Sequence, residues 1–163
     1  MTLPPNPSIG VISDTHGLLR PEAADALEGS DLILHAGDIG SPEILPALKE
    51  IAPVLAIRGN VDTDSWARDL PEHLHLKIAG IDVEMIHDLQ DWLAHGGPPQ
   101  EATPQNRLVI AGHSHKPISE ARDRFWHLNP GSAGRRRFRL PITLARLWFA
   151  EDGTFGTEIV PLL

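Results

Sequence analysis

Apolar positions along this chain come in short blocks that stop abruptly at polar residues. Ser8 to Ile12 runs straight into Ser13-Asp14-Thr15-His16-Gly17, the pattern of a buried strand whose last residues emerge at a sheet edge. From Arg20 to Gly29 there is a proline near the first turn, an alanine-rich middle and a closing glycine, which predicts a helix. Asp31 to His35 predicts a second strand. Ser41-Pro42-Glu43 then opens a second helix, with Ser41 as N-cap and the proline at N1, and Pro46 makes that helix short or bent. Val54 to Ile57 predicts a third strand, so strands and helices alternate as in parallel βαβ units.

The second half changes character. His73 to Ile78 and Ile81 to Met85 alternate apolar and polar residues, and Ala79-Gly80 between them predicts a tight hairpin. The second of these strands ends at His87. Residues Gly96 to Asn106 form the longest loop, which could close over a site. Arg107 to Ala111 is another buried strand and ends in Gly112-His113-Ser114-His115. Apolar stretches follow at Phe125 to Leu128 and Ile142 to Phe149, and Asp152-Gly153 turns the chain into a last strand up to Val160.

Five predicted strands thus end in candidate ligands: Asp14 with His16, Asp38, Asn60, His87, and His113 with His115. Open α/β sheets bind ligands outside the carboxyl ends of their strands. Asp14 and His16 are two residues apart, so extended backbone would aim both the same way. A hard oxygen beside an imidazole nitrogen suits a divalent transition metal.

Composition narrows the setting. The 163 residues, 41% hydrophobic and 22% charged, fit one soluble domain over residues 1–163, able to bury roughly 70% of its unfolded surface. Residues 1–7 have neither basic residues nor an apolar core and are expected to be a frayed lead-in rather than a secretory signal. No apolar run approaches the roughly 20 residues that span a bilayer, so no membrane partner is expected. There is no cysteine, hence no disulfide and no thiolate ligand, which fits a cytoplasmic location. The formal charge of −8 disfavours duplex nucleic acid. The one dense basic cluster is Arg135, Arg136, Arg137 and Arg139.

The motifs Asp14-x-His16, Gly37-Asp38, Gly59-Asn60-x-Asp62 and Gly112-His113-x-His115 resemble, in order and spacing, those of the calcineurin-like metallophosphoesterases. Asn129-Pro130-Gly131-Ser132 further resembles the small single-domain branch that includes bacterial phosphodiesterases and the retromer subunit. The resemblance spans about Ile9 to Ser132. It implies an α/β fold: a four-layer α-β-β-α sandwich of two packed mixed β-sheets, with a metal site at the strand C-terminal edge. It also implies a dinuclear site, with Asp14, His16, Asp38 and His115 on one metal and Asp38, Asn60, His87 and His113 on the other. Asp38 would bridge the two, since a carboxylate has two oxygens. Metal-bound hydroxide would attack phosphorus in line, with Asn60 and His113 as catalytic residues. Two divalent ions outweigh the carboxylates of Asp14 and Asp38, so the centre of an acidic protein would attract an anion. Four imidazoles favour Mn²⁺, with Zn²⁺, Fe²⁺ or Ni²⁺ as alternatives, over Mg²⁺ or Ca²⁺. The expected substrate is a small phosphodiester or nucleotide-like molecule. The rival readings are a phosphomonoesterase for a small metabolite, a protein-binding scaffold of the same fold, and a regulatory nucleotide binder; a homo-oligomer is left open.

Two positions depart from the family pattern. Many larger members have a histidine directly after the motif asparagine, where it can protonate the leaving group; here Val61 stands there. The expectation is a preference for leaving groups of low pKa, or a proton from another group. Asp88 follows His87 where glycine is frequent, and His95-Gly96 offers a rival match; His87 is preferred because it closes an alternating strand. Of the other histidines, His73 and His75 read as solvent-facing, while His35 and His127 read as packing or hydrogen-bonding residues behind the site. Asp62 and Asp88 are expected to orient ligands or hold loops, and Asn129 to Ser132 to form a turn. The arginine run reads as a solvated face, with Arg135 and Arg136 as candidate phosphate-binding residues. Trp66, Trp92, Trp126 and Trp148 read as core or loop packing.

Overall fold

The computed structural model describes residues 2–163. They fold in the order β1 (Ser8–Ile12), α1 (Pro21–Leu27), β2 (Leu32–His35), α2 (Ile44–Lys49), β3 (Val54–Ala56), a 3₁₀ turn (Ser65–Ala67), β4 (His73–Ile78), β5 (Ile81–Ile86), α3 (Leu89–Ala94), β6 (Arg107–Ile110), β7 (Ile118–Ala121), β8 (Trp126–Asn129), β9 (Thr143–Phe149) and β10 (Phe155–Pro161). Two five-stranded sheets result, ordered β10-β9-β1-β2-β3 and β4-β5-β6-β8-β7. Both are mixed. β1, β2 and β3 run parallel, with β9 antiparallel to β1. β5, β6 and β8 run parallel, flanked by antiparallel β4 and β7.

Side-chain alternation sorts the apolar residues into three clusters. Ile9, Val11, Leu32 and Leu34 meet Val83, Met85, Leu108, Ile110 and Leu128 between the sheets. The alternate positions Ile12 and Ile33 face α1 and α2 through Leu27 and Leu48. Val109 and Ile86 face α3 through Leu89. The layers are therefore helix, sheet, sheet, helix, and strands covered on both faces read as unbroken apolar runs. Gly10 marks one tight contact: a Cβ there would overlap Leu27 Cδ2, so the buried Leu27 side chain would have to shift.

The second helix begins later than expected. Its N-cap is Glu43, with no side-chain capping bond, rather than Ser41. Pro46 then falls within the first turn, where backbone N–H groups have no intrahelical acceptor to lose. Met1 lies outside the described residues. The rest of the expected frayed lead-in forms no element, but Leu3 packs on the central cluster and Pro7 is buried, so it is tied down at two points. Among the described residues no helix is long and apolar enough to cross a membrane.

Candidate metal centre

β1 stops at Ile12, and the residues after it leave extended backbone. Asp14 and His16 both have positive φ, +55° and +46°, so strand alternation is not what aligns them. This corrects the expectation of an extended Asp-x-His pair. The alignment comes from the neighbouring loop: Asp14 N–H donates to Gly37 O at 3.0 Å, His16 N–H to Asp38 O at 3.0 Å and Gly17 N–H to Ile39 O at 2.8 Å. Asp38, His113 and His115 also have positive φ. Aspartate and histidine enter this region more readily than most residues.

These loops bring six of the seven expected ligands together in two groups. Asp14, His16 and His115 form one, and Asp38, His87 and His113 the other; in each, one ligand atom per residue lies within 4.8 Å of the rest. Asp38 Oδ2 is 3.1 Å from His87 Nε2 and 3.6 Å from His16 Nε2, so it touches both groups. Asp14 Oδ1 is 3.3 Å from His115 Nε2 and 3.9 Å from His87 Nε2. His16 and His115 bring their Nε2 atoms to 3.3 Å. The seventh, Asn60, is exposed and lines a cavity of about 410 Å³ with His87 and His113.

The donor set calls for a cation. His87 Nδ1–H donates to Ala36 O at 2.8 Å, so its Nε2 is turned to the Asp38 carboxylate at 3.1 Å. A proton or a metal cation between the imidazole nitrogen and the carboxylate oxygen makes that contact favourable. Asp14 Oδ1 and His87 Nε2 are buried and have no hydrogen-bond partner among the described residues. The residues present therefore fit a divalent metal. Burial pushes the Asp14 carboxyl up, but His115, His16, His87 and Ser13 outweigh it and hold Asp14 well below the usual carboxylate range. Asp38 follows the same pattern: burial raises it, while the bond to His87 and the Val61 N–H bring it below its ordinary value. For His87, burial lowers the pKa and Asp38 more than reverses this.

A ring of polar side chains, some accepting and some donating, fixes these loops. Asp62 takes three backbone N–H groups, from Ile39 (3.0 Å), Gly40 (3.0 Å) and Gly59 (2.8 Å), tying the loop of Asp38 to that of Asn60. Asp88 caps α3 by accepting from Gln90 and Asp91, which accounts for an acid where the family often has glycine. Asn129 donates to Gly112 O and Ser114 Oγ, and Ser132 Oγ donates to Asp14 O. His35 is fully buried: its Nδ1 accepts from Gly37 N–H, and its Nε2 bonds Thr15 Oγ1. Gly59 has no room for a side chain, since a Cβ would lie 2.2 Å from Asp38 Oδ1.

Other candidates fall elsewhere. His95 is exposed at the end of α3, bonded to Asp91 O, and belongs to neither group. His73 and His75 pair across strands with Glu84 and Asp82, though His73 also lines the 410 Å³ cavity. Arg135 and Arg136 are exposed, and Arg136 bonds Leu140 O within its own loop. Neither lines the cavity beside His87 and His113; Arg58 does. Arg58 was legible as the residue before Gly59-Asn60 at a strand end, and Ser13 and Thr15 as polar neighbours of Asp14. Trp148 is 45% exposed, not packed away as expected, while Trp92 meets Phe125 edge-on and lines the cavity.

Residues 8–152 match the calcineurin-like phosphoesterase superfamily domain. The chain belongs to that family. A probable metallophosphoesterase of Methanothermobacter thermautotrophicus is 38% identical over 136 residues, covering 76% of each chain. Phosphodiesterase YfcE of Escherichia coli is 32% identical over 144 residues, covering 74% of this chain and 76% of its own. The structure of YfcE superposes with a TM-score of 0.69 at 21% identity, over 96% of this chain and 100% of that one. Vps29 of Cryptosporidium parvum superposes at 0.73 and 17% identity, over 96% and 97%. These two likenesses establish the same sandwich fold.

Proposed function

We propose that this chain is a single-domain phosphodiesterase that works with two divalent cations. The observation that carries the reading is the convergence of carboxylate oxygens and imidazole nitrogens from separate strand ends, with Asp14 Oδ1 and His87 Nε2 buried and without a hydrogen-bond partner among the described residues. Asp14, His16 and His115 would hold one ion, and Asn60, His87 and His113 the other, with Asp38 shared. When bound, the ions would supply Lewis-acid stabilisation of a phosphoryl group and an activated water for in-line attack on phosphorus.

The chain contributes the rest. Asp62, Ser132 and Asn129 hold the ligand loops, so the site is formed before substrate arrives. Asn60 and His113 stand on the cavity wall, where an amide and a half-exposed imidazole can reach phosphoryl oxygens. Arg58 in the same wall is held by Glu72 at 3.3 Å and by Arg68 O, and its guanidinium would have to exchange the exposed Glu72 carboxylate for a phosphate. The imidazole-rich donor set favours Mn²⁺, with Zn²⁺, Fe²⁺ or Ni²⁺ next. The diesterase names of relatives such as YfcE support a diester over a monoester. The complete donor set weighs for turnover over a scaffold role, which would not require it.

The test is hydrolysis of bis(p-nitrophenyl) phosphate by protein stripped of metal and reloaded with Mn²⁺. Turnover should exceed that of p-nitrophenyl phosphate. It should fall in Asp38→Asn by more than the roughly 10–100-fold typical of residues behind a ligand. Two bound ions with no turnover under Mn²⁺, Zn²⁺, Fe²⁺ or Ni²⁺ would identify a binding protein instead.

A further inference from the structure

The arginine cluster does not line the 410 Å³ cavity, yet it is rooted on the metal loops. Past β8 the chain runs beside the segment that carries Asp14 and His16. Ser132 Oγ donates to Asp14 O at 3.0 Å and Ala133 N–H to Ser13 O at 3.1 Å. Gly134 then passes so close that a Cβ there would overlap Thr15 O, and Arg20 Nε–H donates to Gly134 O at 3.0 Å. The chain returns where Thr143 N–H donates to Ser132 O at 3.0 Å, so both ends of the loop are fixed at one place. Between them residues 135–139 are exposed. His16, which follows Thr15, is the partly exposed member of its metal group, so that group meets solvent near the root of the loop.

The charge of this loop is not neutralised. Among the described residues Arg20, Arg135, Arg136, Arg137 and Arg139 form no ion pair with a carboxylate; the paired arginines are Arg58, Arg107 and Arg124. No acidic residue stands between Asp123 and Glu151, in a chain of formal charge −8. At the tip, Leu140 N–H donates to Arg137 O at 3.2 Å and closes a turn, braced by Arg136 Nη1 on Leu140 O at 3.1 Å. Phe138 sits in that turn with φ +55° and is 86% exposed. Such a position favours glycine, asparagine or aspartate. A phenylalanine held there, between two arginines and clear of the core, is a strained placement of the kind that marks a contact surface.

Guanidinium forks take phosphates, and a bare aromatic ring takes the face of a base. A single-stranded polynucleotide offers both, whereas a duplex keeps its base faces stacked. A flat anionic membrane would meet the rest of an acidic chain as well as the loop; a single strand is narrow enough to lie on the loop alone. We infer that this loop holds single-stranded nucleic acid beside the metal centre, with phosphates on the arginines and a base stacked on Phe138. The link to catalysis rests on the phosphodiesterase reading above; binding of the strand does not. In that reaction water adds across one P–O bond and leaves two shorter strands, one ending in a phosphomonoester and the other in a hydroxyl.

Two measurements test this. The first is fluorescence anisotropy of a labelled oligothymidylate of about twelve nucleotides, the span of a single-strand site, with the full-length protein in EDTA so that no strand is cut. Binding should weaken with salt. Arg137→Ala with Arg139→Ala should flatten the slope of log K against log salt by roughly 1.4, the share of two phosphate contacts; both side chains are exposed, so the core is untouched. Phe138→Ala should weaken oligothymidylate roughly tenfold but not inorganic polyphosphate, which has no bases and is read by competition. Equal loss on both would mean a site for any polyanion, and phosphatidylserine vesicles bound in preference to the strand would mean a membrane contact. Either would overturn the inference, as would no binding at low salt.

The second compares oligothymidylate with bis(p-nitrophenyl) phosphate on the Mn²⁺-loaded protein. The ratio of their kcat/KM values should fall roughly tenfold in Phe138→Ala, as binding does. An unchanged ratio would show that the bound strand does not reach the metals and would overturn its placement beside them. Protein that binds the strand but turns over neither diester would remove the phosphodiesterase reading and leave the strand-binding loop standing. Protein that turns over bis(p-nitrophenyl) phosphate without binding the strand would overturn this inference alone.

Discussion

Asp62 is the residue whose removal should be felt most widely. Its two carboxylate oxygens accept from Ile39, Gly40 and Gly59, joining the loops that carry Asp38 and Asn60. Asp62 is buried, whereas its three donors differ in burial: Ile39 is buried, Gly59 intermediate and Gly40 exposed. In Asp62→Ala the Ile39 N–H loses its acceptor where water has little access, at a cost of about 2–3 kcal/mol. Gly59 N–H adds about 1–2 kcal/mol, and Gly40 N–H little, because water replaces the acceptor. The expected loss is about 4 kcal/mol, a large share of the roughly 5–15 kcal/mol that keeps a domain folded.

Asp62→Asn should cost about half as much, since one oxygen still accepts while the amide NH₂ faces a donor. Urea unfolding in EDTA reads both variants free of metal linkage. Asp64→Ala, which removes an exposed acid two residues away, is the control for charge and should stay within about 0.5 kcal/mol. The loosened loops should also weaken Mn²⁺ binding by roughly 10–100-fold. Asp62→Ala within about 1 kcal/mol of wild type at an unchanged m-value, or Asn worse than Ala, would refute the reasoning.

Two further outcomes follow from the same loops and from Val61. Burial lowers the pKa of His35 from its ordinary value to about 4, and a proton on Nδ1 would meet the Gly37 N–H. Between pH 6.5 and 4 the unfolded chain therefore binds a proton that the folded one refuses, so stability is intact above the unfolded pKa and falls as pH falls. The loss is about 3 kcal/mol, read as the difference between wild type and His35→Gln in EDTA, which cancels the opposing contribution of His87; a flat difference would refute it. With Val61 where larger relatives place a histidine, kcat on a series of aryl diesters should drop steeply as the leaving-group pKa rises; a flat dependence with chemistry rate-limiting would mean that another group delivers the proton.

The parts of the fold that periodicity decides were legible. β1, β2 and β6 are buried on both faces and read as short apolar runs; β4 and β5 alternate, and Ala79-Gly80 turns between them. β7 was not legible. Ile118-Ser119-Glu120-Ala121 is a half-exposed edge strand, and what makes it a strand is antiparallel pairing with β8, a tertiary fact without a local pattern. Arg135 and Arg136 show the opposite failure, a conspicuous cluster that composition favours and the cavity beside His87 and His113 does not use.

The backbone at the ligands was the least legible feature, and it has a physical logic of its own. Asp14, His16, Asp38, His113 and His115 all hold positive φ, a conformation that costs most L-residues about 1–2 kcal/mol each. Such strain persists only where the surroundings fix it, and here they do. Asp14 and His16 are clamped by Gly37 O and Asp38 O, His113 N–H by Asp14 Oδ2, and the Gly112–Ser114 segment by Asn129. Aspartate and histidine answer two demands at these places: they supply oxygen and nitrogen donors, and they are among the residues that tolerate left-handed backbone best. An alanine at any of them would lose the donor and keep the strain. A substitution such as His115→Gly would lose the donor but relieve the strain, so the apo protein should be more stable with glycine than with alanine there, by about 1 kcal/mol.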